Sequence, residues 1–331
     1  MKNLFLVIVL FSLSVIGCNN SDKKKVESQS TLEKTTIENS KLIKVGKGPD
    51  ALFLTPDEKF LYVANVEDNF VSIINTESEE VVGKIEGINY PWGFTQLGKS
   101  NYVAVSGYDK QVVVIDLTKH QIVKEKKFNN KLGGITSTSD GKFIFVIETD
   151  KNTALKLDAK SLKILDSYKT GNAPDGIGIS KDDSKIYTTN TKDGTISIIN
   201  TKNKQTKFLE VGGKPELIHS NQDRSILFIS NFKLNKIHII NTSTDEIVHE
   251  ITGLNSPEEA VLSKSRKLLY VVNFGDNKVQ VYDAITYQKL NQEYSVGNNP
   301  IGIISALNDR KLFVSNYADN TVSVINLIKH K

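Results

Sequence analysis

The chain has 331 residues, of which 39% are hydrophobic and 24% charged, and its 42 Lys and Arg against 38 Asp and Glu leave a net charge of +4. That composition supports a sizeable core and excludes disorder along the whole chain, while a mild and dispersed positive charge gives no reason to expect nucleic acid as a partner. A single Cys excludes a disulfide framework and a Cys-rich metal site, and five His, no two within four residues, leave little for metal or haem ligation, so no metal and no cofactor is expected.

The N-terminus reads as a targeting segment. Lys2 supplies a short basic region, and Leu4 to Ile16 are apolar apart from Ser12 and Ser14. This run falls short of the ~20 residues that a bilayer-spanning helix needs. It ends in Val15-Ile16-Gly17-Cys18, which resembles a bacterial lipobox, and the only Cys of the chain stands where a lipobox requires one. The resemblance implies a lipoprotein signal peptide at 1–17, cleavage before Cys18 and acylation of that residue. It also implies a protein of the cell envelope, held on the periplasmic or extracytoplasmic side of a membrane through its lipid. Residues 18–40 are polar, with only Val26, Leu32 and Ile37 apolar beyond Cys18, and are expected to form a flexible lipidated tether. The run Lys23-Lys24-Lys25 reads as part of that solvated linker rather than as a headgroup contact.

Residues 41–331 repeat themselves. A Gly-rich segment ending in Pro recurs at Pro49, Pro91, Pro174, Pro215, Pro257 and Pro300, with Leu132 in the missing place, at steps of 41 to 43 residues. An Asn or Asp closing a β-rich run recurs in the same step at Asn75, Asp116, Asp158, Asn200, Asn241, Asp283 and Asn326. Each unit carries four strand signals, shown well by Gly176–Ser180, Lys185–Asn190, Thr195–Asn200 and Lys207–Val211. Turn clusters rich in Asp, Asn, Gly and Lys separate them. Four short strands per unit, seven times over, predict an all-β, seven-bladed β-propeller with four-stranded blades. The last unit stops after its third strand, Thr321–Ile325, and Leu42-Ile43-Lys44-Val45 before the first unit supplies the missing outer strand, so the N-terminal strand is expected to close the ring.

The second strand and its turn read Tyr62-Val63-Ala64-Asn65, Tyr187-Thr188-Thr189-Asn190, Phe228-Ile229-Ser230-Asn231, Tyr270-Val271-Val272-Asn273 and Phe313-Val314-Ser315-Asn316. With the third strand, as in Asn320 to Asn326, this resembles the YVTN-type β-propeller repeat, which occurs in surface-layer proteins and in relatives of seven-bladed lactonases. Blades two and three depart from the pattern, with Val105 and Glu148 at the expected position of the Asn.

Several motifs have plain structural readings. Gly93 to Ser100 matches the phosphate-loop pattern, but the repeat places it on an inner strand and a turn with no helix to follow, so nucleotide binding is rejected. The Asp-Asn and Asp-Gly pairs are hairpin chemistry before they are calcium ligands. His219 lies on the inner strand of blade five with no second His at an equivalent position, and reads as a packed or solvated side chain. No nucleophile elbow appears, and no catalytic residue is assigned.

One constellation remains. The residue after each anchor opens the innermost strand at the channel mouth, in blade order Asp50, Trp92, Gly133, Asp175, Glu216, Glu258 and Ile301. Loops expected on the same face carry Tyr108, Phe232, Phe274 and Tyr317. Acids ringed by aromatics suit a cationic, sugar-like or peptide ligand. The function expected is a monomeric, non-enzymatic binding or scaffolding module for a protein, peptide or polymer. The alternative is a lactonase-like hydrolase drawing on His219, Glu216 and Glu258. A redox propeller lacks the haem attachment site and paired His it would need.

Overall fold

The computed structural model of the protein describes residues 40–327, so the proposed signal peptide, Cys18 and all but the last residue of the expected tether lie outside the described residues. Those described form seven four-stranded antiparallel sheets. In each of the first six, the strands follow one another in sequence from the inside outward, as in Pro49–Leu54, Phe60–Asn65, Phe70–Asn75 and Glu80–Glu86. Each inner strand lies against the inner strands of two neighbours, and Pro49–Leu54 touches Pro300–Ala306, so the sheets complete a circle. The protein is a seven-bladed β-propeller.

Ring closure takes the expected form. The first strand, Ser40–Lys44, pairs antiparallel with the last, Thr321–Asn326, from Ser40 opposite Ile325 to Lys44 opposite Thr321. Blade seven is therefore built from both ends of the chain. It is joined to blade one by a clamp in which Lys311 Nζ (2.8 Å) and Lys41 Nζ (3.1 Å) both reach the carboxylate of Glu79.

The core is divided among the joints between blades. Seven apolar clusters each draw on two adjacent sheets: Tyr62 and Val71 of blade one pack with Val103 and Val113 of blade two, and Ile43 and Val322 of blade seven pack with Leu61 and Ile74 of blade one. Second and third strands are covered on both faces, which accounts for unbroken apolar runs such as Val112-Val113-Val114-Ile115, all buried.

The two sequence anchors have separate jobs. In blades one to six the Asn or Asp ending the third strand accepts hydrogen bonds from the following turn, as Asn75 Oδ1 does from the Ser78 N–H (2.9 Å) and Asp283 Oδ1 from the Thr286 N–H (2.7 Å). The Pro, or Leu132 in blade three, opens the inner strand opposite the last residue of the second strand, for example Pro215 opposite Asn231, and a bulge follows it in every blade. The pairing of Pro91 with Gly107 corrects the sequence reading of blade two: Gly107, not Val105, holds the place of the repeat Asn. Val105 is fully buried between blades one and two, where only an apolar side chain fits. A Cβ on Gly107 would lie 2.5 Å from the Asn89 carbonyl, and the Gln111 amide takes over the vacant role by donating to Gly87 O (2.9 Å). In blade three Glu148 does stand at that place and accepts from Asn130 Nδ2 (2.7 Å).

A directional latch repeats at five joints. Asn69, Asn152, Asn235, Asn277 and Asn320 end the turn between second and third strands in the left-handed region, at φ of 53° to 60°. Each side-chain oxygen accepts from a backbone N–H of the next blade, at Tyr90 (2.8 Å), Ala173 (3.0 Å), Ser256 (2.8 Å), Asn299 (3.0 Å) and, across the closure, Gly48 (3.0 Å). At the other two joints the turn residue is Lys110 or Gly194, and the residue before the next inner strand is Lys131 or Lys214.

The latch predicts the cost of its removal. Asn152→Gly keeps the left-handed backbone accessible and loses the bond from Ala173 together with the exposed bond that Asn152 Nδ2 donates to Asn172 Oδ1 (3.2 Å), about 1–2 kcal/mol in all. Asn152→Ala adds the strain of a Cβ at positive φ, roughly another 1 kcal/mol. Urea unfolding should rank the proteins wild type, Gly, Ala, and equal midpoints for all three would show that the latch carries no load.

Candidate functional site

Inner strands run away from one mouth of the channel, so the residue after each anchor stands at that mouth, and the bulge that follows turns two consecutive side chains inward where both are long. Asp50, Asp175, Glu216 and Glu258 are each half-buried on different walls of the same opening. The backbone of Asp50 and of Glu216 is held from the neighbouring blade. Ser315 Oγ of blade seven receives the Gly302 N–H (2.8 Å) and donates to Asp50 O (2.6 Å). Thr189 Oγ1 of blade four does the same between the Gly176 N–H (2.8 Å) and Glu216 O (2.6 Å). The two glycines permit this approach, since a Cβ on Gly176 would meet Glu216 O at 2.3 Å and one on Gly302 would meet Asp50 O at 2.6 Å.

The electrostatics follow from four carboxylates sharing one opening. Burial, together with the charges of Glu259 and Asp175, pushes the Asp50 carboxyl up to about 7. Burial pushes Asp175 up to about 6, with Glu216 adding to the effect and Lys214 opposing it. Glu258 is held well above the usual carboxylate range by burial and by Glu216, Asp50 and Asp175, with Lys214 again in opposition. That Asp50 of blade one feels Asp175 of blade four shows that the field extends across the channel.

Two members of this site escaped the sequence reading. Lys214 forms an ion pair with Glu216, so one of the four acids brings its own counter-ion. Burial disfavours the charge on Lys214, but the bond to Glu216 and the charges of Glu216, Glu258 and Asp175 outweigh it and raise the ammonium above its ordinary value. Glu259, one residue below Glu258, accepts the Ile303 N–H (2.7 Å) and lies 2.9 Å from His219 Nδ1. His219 is thus neither packed nor merely solvated. About a third of its side-chain surface is open. Burial works against its protonation, yet the Glu259 bond and charge prevail and raise its pKa.

The aromatics gather in two groups. Trp92 and Tyr108 are joined by Tyr90, with centroid separations of 6.0 Å for Tyr90–Trp92, 5.5 Å for Tyr90–Tyr108 and 5.6 Å for Trp92–Tyr108. Phe232 and Phe274 meet edge to face at 5.8 Å. Tyr317 donates its hydroxyl to Glu67 (2.7 Å). Burial raises the Tyr90 phenol, with Asp50 and Glu67 adding to it, and the Glu67 bond with burial raises Tyr317, with Tyr90 and Asp50 as smaller contributors. Lys131 and Lys214 sit over the rings of Tyr108 (5.1 Å) and Phe232 (5.5 Å). Gly133 and Ile301 complete the circle of seven positions without charge. Among the described residues no three of His, Cys, Asp and Glu converge closely enough to hold a metal ion. The phosphate-loop match falls as expected, on the inner strand Pro91–Gln96 and a turn before Tyr102–Gly107.

Comparison with known proteins agrees with the architecture. Hydrazine synthase from Kuenenia stuttgartiensis superposes with a TM-score of 0.76 over 88% of this chain and 99% of that one, at 16% identity. The Cps50 (Swd1) β-propeller domain of Myceliophteria thermophila superposes with a TM-score of 0.75 over the same shares, at 10% identity. Similarity at this level of identity defines the class, a seven-bladed β-propeller, and nothing finer. No protein-family model matches the chain, and no curated protein matches its sequence.

The raised Asp50 carboxyl gives a pH dependence with a defined sign. Its folded value of about 7 exceeds the ordinary 3.8, so its contribution to stability is complete below the unfolded value and is lost as pH rises through the folded one. Asp50→Asn should therefore be more stable than wild type near about pH 8, by on the order of 2 kcal/mol after screening by channel water, and the gain should vanish near about pH 4. Urea titrations at both pH values check this; a gain equal at the two would place the cause outside ionisation.

Proposed function

We propose that this protein is a lipid-anchored binding or scaffolding propeller of the YVTN type, displayed in the bacterial cell envelope, with its ligand seated at the acidic mouth. The fold suits such a role, since a propeller offers a rigid opening whose lining comes from every blade. The observation that carries the reading is the excess of carboxylate there. Lys214 is drawn to Glu216 alone by direct contact, whereas Asp50, Asp175 and Glu258 carry raised pKa values, and Asp50 acts on Tyr90 of the Tyr90–Trp92–Tyr108 cluster. A cationic group relieves the repulsion among the acids and gains contact with the rings, at about 0.5–2 kcal/mol per cation–π contact. A basic peptide or an amino-sugar polymer has that chemistry.

The test is a thermal-shift screen of the fragment 40–331 with oligo-lysine and with glucosamine oligomers, followed by affinity measurements on variants. Asp175→Asn combined with Glu216→Gln, and separately Trp92→Ala, should each weaken binding by roughly 3- to 30-fold. Affinity unchanged in both variants would remove the acidic mouth as the binding site.

The anchor rests on the lipobox resemblance at Val15 to Cys18. Cys18→Ser should shift the protein from the membrane to the soluble fraction, and a palmitate analogue should label the wild type alone. An unlabelled wild type would refute the anchor. The hydrolase reading keeps one supporting feature, the His219–Glu259 pair, in which a carboxylate orients an imidazole as a general base requires.

A further inference from the structure

The far mouth of the channel carries acids and bases side by side, and it holds the arginines of the chain. The chain contains three Arg among its 42 basic residues, and all three, Arg224, Arg266 and Arg310, lie between the first and second strands of three consecutive blades, at that far mouth. Two have carboxylate partners: Arg224 reaches Asp183 of blade four (3.0 Å) and Arg310 reaches Glu77 of blade one (2.7 Å). Among the described residues the middle one has none. Arg266 donates to the uncharged Gln222 side chain and lines a cavity of about 230 Å³ between blades five, six and seven.

The turn that carries Arg266 also lacks the acid that four of its six counterparts keep, Lys99 and Asn308 taking the place in blades two and seven. Asp57, Asp140, Asp182 and Asp223 stand three residues before the second strand in blades one, three, four and five, and Ser265 stands there in blade six. The carboxylates that remain nearby are already engaged. Glu58 pairs with Lys264 and accepts the Asn308 N–H (3.1 Å), while Asp309 accepts from the Lys264 N–H (2.6 Å), the Ser265 N–H (2.8 Å) and Ser305 Oγ (2.7 Å). The cavity wall combines the Arg266 fork and the Gln222 amide with the hydroxyls of Ser220 and Ser263 and the apolar side chains of Val261 and Ile304.

We propose that this cavity binds a small organic oxyanion, its carboxylate or phosphate group held by the Arg266 guanidinium and its short apolar body resting on Val261 and Ile304. Guanidinium presents parallel N–H donors that match the two oxygens of such a group, which a lysine does not, and this is where the chain places its few arginines. The volume lies below the ~300–1,000 Å³ of pockets for drug-sized ligands, so the ligand is small. The site stands apart from the acidic mouth, and neither depends on the other.

The experiment is calorimetric titration of the full-length protein in detergent with sodium phosphate, sodium butyrate and sodium benzoate at constant ionic strength. Wild type should show saturable binding of at least one of them. Phosphate alone assigns a phosphate ligand, and the carboxylates alone assign a carboxylate; either sustains the proposal. Arg266→Gln should weaken the interaction about 10-fold or more. Arg310→Gln, which removes a charge outside the cavity, and Asp175→Asn with Glu216→Gln, at the other mouth, should leave it within about 2-fold. The proposal fails if wild type binds none of the three anions, if Arg266→Gln binds as wild type does, or if Arg310→Gln loses as much as Arg266→Gln. Circular dichroism of each variant separates loss of a contact from loss of the fold.

Discussion

A blade of this protein has two apolar faces, and water against either is unfavourable. No four-stranded sheet can cover both by itself, so each borrows a neighbour on either side, and the borrowing ends only when the last blade meets the first. The seven clusters at the seven joints are the physical form of that demand. From it follow the buried second and third strands, the outer strands with Val82, Val123, Leu165 and Phe208 facing solvent, and a central channel lined by inner strands with one face left over. What lines that channel is free of the demand, and there the blades differ most from one another.

That division explains how the two mouths come to differ in chemistry. At the first, strand starts supply Asp50, Asp175, Glu216 and Glu258, with Glu259 just beneath. At the second, the turns supply Lys264 and Arg266 beside acids already committed to hydrogen bonds. The His219–Glu259 pair lies on the inner strands between the two. A polarity along the channel axis therefore arises from the two ends of the same short strands. The joints draw most of their apolar side chains from the second and third strands, with inner-strand residues such as Val261 and Ile303 contributing at their margins.

The sequence carried the architecture because the joints repeat. Every blade must present the same faces to the same neighbours, so strand lengths, the Pro at the inner strand and the Asn or Asp after the third strand recur at fixed steps. Ring closure was legible for the same reason: one outer strand was missing at Asn326 and one was spare at Leu42. The site was legible only as far as it shared the repeat. Asp50, Asp175, Glu216 and Glu258 fall in one column and were found. Glu259 stands in a column otherwise filled by Ala51, Gly93, Gly134, Gly176, Leu217 and Gly302, and a search of that column for its exception would have raised it; Lys214 shares its column with Lys131, so no such contrast marks it. The pairings of Glu216 with Lys214 and of His219 with Glu259 depend on rotamers and on the bulge, which leave no periodic trace. Gly107 was misassigned because its blade replaces an asparagine by a shape, a bare backbone beside Gln111, and that substitution is invisible to a pattern of letters.

The strand Ser40–Lys44 has a mechanical meaning beyond its place in the ring. It is the point where the described fold joins the N-terminal part of the chain, and it is also the piece that completes blade seven. If the protein is held by its N-terminus, any pull on that attachment is delivered to the strand that fastens the circle. Tension along the strand is shared by all five of its register pairs at once, from Ser40–Ile325 to Lys44–Thr321, whereas tension across it opens them one after another. The same attachment is therefore strong or weak according to the direction of load, with the Lys41–Glu79 contact as the cross-stitch to blade one that resists peeling first.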